Sequence, residues 1–233
     1  MSRYKHKPIK RSTRHRRRYT RQRAVGYVAA MLIVAGLIVG DRMGVFGRPK
    51  QSEYRPDAAT IARNNTADRR TYHDKSFKVT GVVDGDTLDV DVRDEVLGKR
   101  STRIRLWGVD TPETVKPNTP KQHFGTEASR FTRNFCMDKT VRLELVKGRD
   151  TRGKYGRLLA YVSLPAAGER PLCLNAELIR RGYGYCDPRY PHPRKADFRD
   201  LQRRARQSGV GLWADAGDDD LPYYYRGKIK LGQ

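Results

Sequence analysis

The chain has 233 residues with 49 Lys plus Arg against 26 Asp plus Glu, a formal net charge of +23. That length suits one modest domain with appendages and leaves little room for two. With 37% hydrophobic and 32% charged residues, and a mean hydropathy of -0.82, the chain is too polar for a polytopic membrane protein and too apolar to be wholly disordered. Three cysteines, Cys136, Cys173 and Cys186, are too few for a disulfide scaffold and too widely spaced for a C-x-x-C zinc or redox motif.

The charge is concentrated. Residues 1–23 carry 11 cations and no acid, whereas residues 76–215 carry an excess of 9 and residues 216–233 none. The basic arm stops at Arg23, and the 17 residues from Ala24 to Gly40 carry no charge. Seventeen apolar residues lie at the lower edge of what spans a bilayer as a helix, about 17–25. Cations are denser before this run than after it, which predicts a cytoplasmic N-terminus and an exported remainder. Residues 24–40 are therefore read as a single transmembrane signal-anchor. A cleaved signal peptide, and hence secretion, is the closer rival, although Val34-Ala35-Gly36 and Ile38-Val39-Gly40 match a small-x-small cleavage site poorly. The acid-free arm also has the composition of a nucleic-acid-binding arm or an organelle presequence.

Residues 41–75 hold Gly44, Gly47, Pro49, Pro56, Asn64 and Asn65 with no sustained apolar period, and read as a flexible tether. From about residue 76 the texture becomes alternating and amphipathic. Phe77–Val83 and Thr87–Val92 form a hairpin about Asp84-Gly85-Asp86. A third strand carries Ile104 and Leu106 on one face and Arg103 and Arg105 on the other, ending at Asp110-Thr111-Pro112. A helix over 126–137 follows, then strands at 140–147 and 157–163. A short helix capped by Asn175 ends near Gly182, and a last helix carries Phe198, Leu201 and Ala205 ahead of Gly209. The count is α+β: five strands in a small OB-type barrel with three packed helices over residues 76–215, followed by a tail at 216–233 of no assignable role.

Asp84-Gly85-Asp86-Thr87 fails as an EF-hand, because Leu88 and Asp89 fall where that loop needs an oxygen ligand and a glycine. A better reading joins Asp86 to Asp110, each at a strand end, as carboxylates sharing a hard divalent cation. Glu113 lies behind Pro112 where a carboxylate can serve a reacting water. Arg105 and Arg157 supply two guanidiniums that fork onto phosphate and stay protonated through a five-coordinate transition state. Tyr155 offers a ring or a hydroxyl beside them.

In this order, Asp84-Gly85-Asp86-Thr87, Arg105-Leu106-Trp107-Gly108-Val109-Asp110-Thr111-Pro112-Glu113 and Lys154-Tyr155-Gly156-Arg157 resemble the staphylococcal nuclease family. Phe124-Gly125-x-Glu127-Ala128 and Gly211-x-Trp213 agree with it. The resemblance, over residues 77–215, implies an OB-fold barrel, one Ca2+, and cleavage of DNA and RNA to 3′-phosphates by a monomeric catalytic domain with no obligate protein partner. It implies Asp86 and Asp110 as side-chain Ca2+ ligands and Thr111 as a main-chain ligand. Glu113 would orient or deprotonate water, Arg105 and Arg157 would clamp the phosphate, and Lys154 and Tyr155 would contact neighbouring phosphates. Two departures stand out. The loop from Val92 to Thr102 is several residues longer than in the family's type member, and Tyr183, Tyr185 and Tyr190 compete for the place of a second substrate tyrosine. In an exported domain one cysteine pair could oxidise. A catalytically silent nucleic-acid or protein-binding module is the alternative function.

Overall fold

The computed structural model describes residues 53–114, 122–165 and 171–229. The basic arm and the expected membrane segment at 24–40 lie outside them. Among the described residues no helix is long and apolar enough to cross a membrane.

The elements are α1 (Ala58–Tyr72), β1 (Lys75–Asp84), β2 (Thr87–Val90), β3 (Thr102–Leu106), β4 (Val109–Asp110), α2 (Gly125–Cys136), β5 (Thr140–Glu144), β6 (Leu158–Leu164), β7 (Leu172–Cys173), α3 (Leu174–Arg180), β8 (Tyr185–Cys186) and α4 (Lys195–Gln207). Strands β1, β2, β3, β6 and β5 form a closed five-stranded barrel. β1 pairs antiparallel with β2 and β5, β2 with β3, and β5 with β6. The ring is closed by a parallel β3–β6 pairing that sets Ile104, Arg105 and Leu106 beside Leu158, Leu159 and Ala160.

Alternation explains the barrel's inside. Val79, Leu88, Val90, Ile104, Val141, Leu143, Leu158, Ala160 and Val162 are fully buried, while Arg103 and Arg105 take the outer positions between them. The third strand departs from expectation at Gly108, whose φ of +76° breaks it into β3 and β4. A Cβ there would lie 2.5 Å from His192 Nε2, so only glycine fits. Asn175 does not cap α3; Cys173 precedes that helix and Asn175 lies within it, fully buried. Its Oδ1 accepts from Val162 N (3.0 Å) and its Nδ2 donates to the carbonyls of Trp107 (2.9 Å) and Ala160 (3.2 Å), cross-bracing β6 to the chain after β3.

The tether reading of 41–75 is corrected at its C-terminal end. Residues 58–72 are helical, so four helices rather than three pack in the described region. Asp57 starts α1 by accepting from Thr60 N at 2.7 Å. The weak apolar period concealed this helix because polar side chains hold its inner face. Asp68 is buried and takes both Nε and Nη2 of buried Arg152 at 2.8 Å, and Arg152 Nη1 reaches Asp94 Oδ2 at 2.8 Å. Asn65 Oδ1 accepts from Thr151 N and Oγ1, and the Tyr72 hydroxyl meets Thr102 Oγ1 at 3.1 Å. The tail is structured over 216–229 as well: Leu221 is buried in a second apolar cluster with Tyr185, Ala205, Leu212 and Trp213, Tyr225 packs against that cluster, and Tyr224 is buried. All three cysteines are free thiols, with Cys136 and Cys186 buried.

Candidate active site

The site is built where the β1–β2 turn, the outer face of β3 and strand β4 meet. β1 runs into Asp84, and Gly85 and Asp86 make the turn before β2. A Cβ on Gly85 would fall 2.7 Å from Thr111 Oγ1, so glycine lets the turn close against the chain after β4. Asp86 is buried; its main-chain carbonyl accepts from Leu106 N (2.9 Å) and its Oδ2 from Thr111 N (2.9 Å). These bonds lock the turn to both sides of the β3–β4 break.

Arg105 lies between the two expected metal carboxylates. Its Nη1 pairs with Asp86 Oδ1 and its Nη2 with Asp110 Oδ1. Burial works against charge on this guanidinium, but the Asp86 and Asp110 carboxylates overcome it and hold its pKa above the ordinary range. For Asp86 the balance runs the other way: burial, opposed by Arg105 and reinforced by Asp110 and Asp84, pushes its pKa up. Glu113 is half-buried, and its carboxyl is pushed up by burial first and then by the charges of Asp84 and Asp86. Its main chain is pinned by Gln122, whose Oε1 accepts from Glu113 N (2.8 Å) and whose N donates to Glu113 O (2.9 Å). Gly125 allows this approach, since a Cβ there would lie 3.0 Å from the carbonyls of Pro112 and Glu113.

Arg157, at the entry to β6, reaches the same spot through the parallel pairing. Its Nη1 is 3.5 Å from Thr87 Oγ1, and Thr87 in turn donates to Asp86 Oδ1 at 3.0 Å. Burial and the neighbouring Arg105 lower its pKa, offset by Asp86 and Glu113, and an arginine stays protonated under such a load. Tyr155 is exposed, with the Lys154 and Arg157 cations 5.7 and 5.6 Å from its ring centroid. Lys154 stands apart from the cluster. Its Nζ pairs with Glu53 Oε1 at 2.6 Å and its carbonyl accepts from Tyr54 N at 2.8 Å, so the segment before α1 occupies it. The long 92–102 loop folds on itself through Asp94, which accepts from Val96 N and Leu97 N and pairs with Arg152. Leu97 packs so closely on Gly156 that a Cβ there would come within 2.9 Å, which makes the loop a wall beside Tyr155 and Arg157.

Of the three tyrosines left open, Tyr183 stacks on Phe131 (4.5 Å) and Tyr185 is buried against Trp213. Tyr190 is 58% exposed beside Arg189. Four functional neighbours escaped sequence reasoning. Asp84 is buried and accepts from Gly85 N, Thr114 Oγ1 and Ser129 Oγ at 2.8, 2.8 and 3.0 Å, anchoring the 111–114 segment on α2. Gln122 fixes Glu113. Arg189 and Tyr224 both reach Asp110 Oδ2, at 2.9 and 2.7 Å. The Tyr223-Tyr224-Tyr225 run was the visible signal for the last of these.

Among the described residues no cluster of three or more His, Cys, Asp and Glu side chains forms a metal-binding group. The donor chemistry of the pair nevertheless suits a hard cation. Two carboxylates, Asp86 and Asp110, converge on one positive guanidinium, and the adjacent Thr111 Oγ1 is buried without a hydrogen-bond partner.

The chain matches known proteins over this same region. The family model described as staphylococcal nuclease homologue covers residues 103–215. A thermonuclease of Staphylococcus intermedius is 39% identical over 142 residues, 60% of this chain and 76% of that protein. A thermonuclease of Staphylococcus hyicus is 38% identical over 146 residues, 61% and 78% of the two chains. Endonuclease YncB of Bacillus subtilis is 36% identical over 136 residues, 58% and 60% respectively. A barrel of this closure, carrying acids and arginines at these strand ends, defines a hydrolase of the nuclease class. The chain belongs to the staphylococcal nuclease family.

Proposed function

We propose that this nuclease is a Ca2+-dependent, sugar-non-specific endonuclease that hydrolyses DNA and RNA to 3′-phosphate products. The observation that carries the reading is the Arg105 guanidinium held between Asp86 and Asp110, with Arg157 and Glu113 turned to the same place. Bound Ca2+ would be held by Asp86, Asp110 and the Thr111 carbonyl, and would neutralise charge on the phosphate oxygens. Arg105 and Arg157 clamp the phosphate by bidentate hydrogen bonds and stabilise the charge that builds up as it becomes five-coordinate. Glu113, with its affinity for a proton raised by burial, orients the attacking water or takes its proton. Tyr155 contacts a neighbouring phosphate or base. Lys154 joins the substrate by exchanging Glu53 for a phosphate, both side chains being at the surface. The basic arm and apolar run at 1–40 support tethering through a helix at 24–40, with the nuclease domain outside the cytoplasm.

The test is product sizing on plasmid DNA and single-stranded RNA with the full chain, in Ca2+, in Mg2+ and with chelator. Cleavage of both polymers with Ca2+ alone, reduced about 10²–10³-fold in Glu113→Gln and Arg157→Ala, is the expected result. Near-normal turnover in both variants, or binding without cleavage and without Ca2+ sensitivity, refutes the assignment.

A further inference from the structure

The Asp110 carboxylate is used from two sides. Its Oδ1 points to Arg105 and thus toward Asp86, while its Oδ2 accepts from Arg189 Nη2 (2.9 Å) and from the Tyr224 hydroxyl (2.7 Å). Neither of these donors is free to wander. Arg189 Nε and Nη2 fork onto the buried Asp187 at 2.8 Å each, Arg189 N donates to Asp187 Oδ1, and its guanidinium lies 4.6 Å from the Tyr224 ring centroid. Tyr224 is only 8% exposed and packs edge-on against Tyr225 at 4.9 Å.

The tail that brings Tyr224 here is itself fastened. The Tyr225 hydroxyl donates to the Cys186 carbonyl, Arg226 donates to the carbonyls of Leu221 and Asp219, and Gly227 N donates to Asp218 Oδ1. Leu221 is fully buried beneath it. The matched nuclease region ends at 215, so Tyr224 reaches the site from outside that region.

We propose that Tyr224 and Arg189 are positioning residues for the metal site, acting through Asp110. By occupying Oδ2 they turn the carboxylate so that Oδ1, the oxygen facing Asp86, is the one offered to a divalent cation. The tail at 216–229 is then a working part of the site. This rests on the reading of Asp86 and Asp110 as metal ligands. Removing such an outer hydrogen bond costs about 10–100-fold in metal affinity.

The experiment is calorimetric titration of the full chain with CaCl2, comparing the native sequence with Tyr224→Phe, Arg189→Lys and Tyr223→Phe. Tyr223 is exposed in the same tail and serves as the control. The expected result is Ca2+ binding weakened about tenfold in Tyr224→Phe and in Arg189→Lys, with Tyr223→Phe at the native value. The Ca2+ concentration for half-maximal cleavage should shift in parallel, while kcat at saturating Ca2+ returns close to native. If Tyr224→Phe does not fold, Arg189→Lys carries the comparison alone. Native affinity in the folded variants overturns the proposal, as does equal weakening by Tyr223→Phe. A native chain that binds no Ca2+ overturns the metal reading itself, an outcome distinct from these.

Discussion

A carboxyl whose proton affinity is raised in the fold leaves a signature on stability as well as on catalysis. Burial and the charges of Asp84 and Asp86 raise the Glu113 pKa above its ordinary value, so the folded chain holds that proton more tightly than the unfolded one. Its contribution to stability is therefore fully present below the unfolded pKa and is lost as the pH rises through the folded one. Glu113→Gln removes the charge and keeps the shape. Urea unfolding should find this variant more stable than the native chain at pH 7, with the gap closing as the pH falls from the raised folded value to about 4.3, the ordinary glutamate value. A gap that widens on acidification would contradict the environment described here. The same substitution is expected to abolish most cleavage, so stability and activity move in opposite directions at one atom pair.

At the scale of elements, the joint between α3 and the turn at Gly211–Ala214 is held by two glycines facing each other. Gly182 and Gly211 have φ of +69° and +61°, and Leu212 N donates to Gly182 O at 2.8 Å. A Cβ on Gly182 would fall 2.1 Å from the Val210 carbonyl oxygen, a contact with main chain that no rotamer relieves. Gly182→Ala should cost about 1–2 kcal/mol for the left-handed backbone and a further ~1–3 for overpacking, read as a lowered urea midpoint. Gly209→Ala is the comparison, since a Cβ there meets nothing within 4 Å and only the backbone penalty applies.

Elements also mark where sequence reading succeeded and where it stopped. The hairpin of β1 and β2, the alternation of β3, helix α2 and the apolar stripe of α4 were legible because apolar periodicity announces them. Asp86, Arg105, Asp110, Glu113 and Arg157 stood out as candidates because they lie in or beside those periodic runs, and the fold sets Arg105 between Asp86 and Asp110 with Arg157 nearby. Helix α1 was not legible, because its inner face is Asn65, Asp68 and Tyr72 bound to distant polar partners. The sequence separations of 83 to 86 residues in its bonds to Thr151 and Arg152 leave no local pattern to read. Tyr224 was hidden likewise, 114 residues from Asp110.

For the whole molecule, the segment before β1 is part of the fold. Asp68 and Asp94 together enclose the Arg152 guanidinium, whose side chain is 2% exposed. Replacing Asp68 by Ala would keep Arg152 buried with one partner gone, a loss of about 3–5 kcal/mol by analogy with broken buried pairs, and a chain lacking residues 53–73 loses the buried Tyr72 as well. Thermal unfolding should therefore show a markedly lower midpoint in that deletion, and Asp68→Ala in the full chain should reproduce most of the drop. A deletion that unfolds at the native temperature would return α1 to the role of a passive spacer.

The barrel's closure by β3 against β6 has a kinetic consequence. Ile104 pairs with Leu158 across 54 residues of chain, and Arg105 with Leu159, so the pairing that brings Arg157 to Arg105 is far from local, though β1–β5 and β4–β8 span more chain. Contacts of that separation form late, because loop-closure entropy must be overcome before they contribute. A nascent chain that extends past Glu113 but not to β6 carries the acids and one arginine but has no second clamp. Cleaving power would then arrive in a single late step of folding, after the chain is long enough to close on itself.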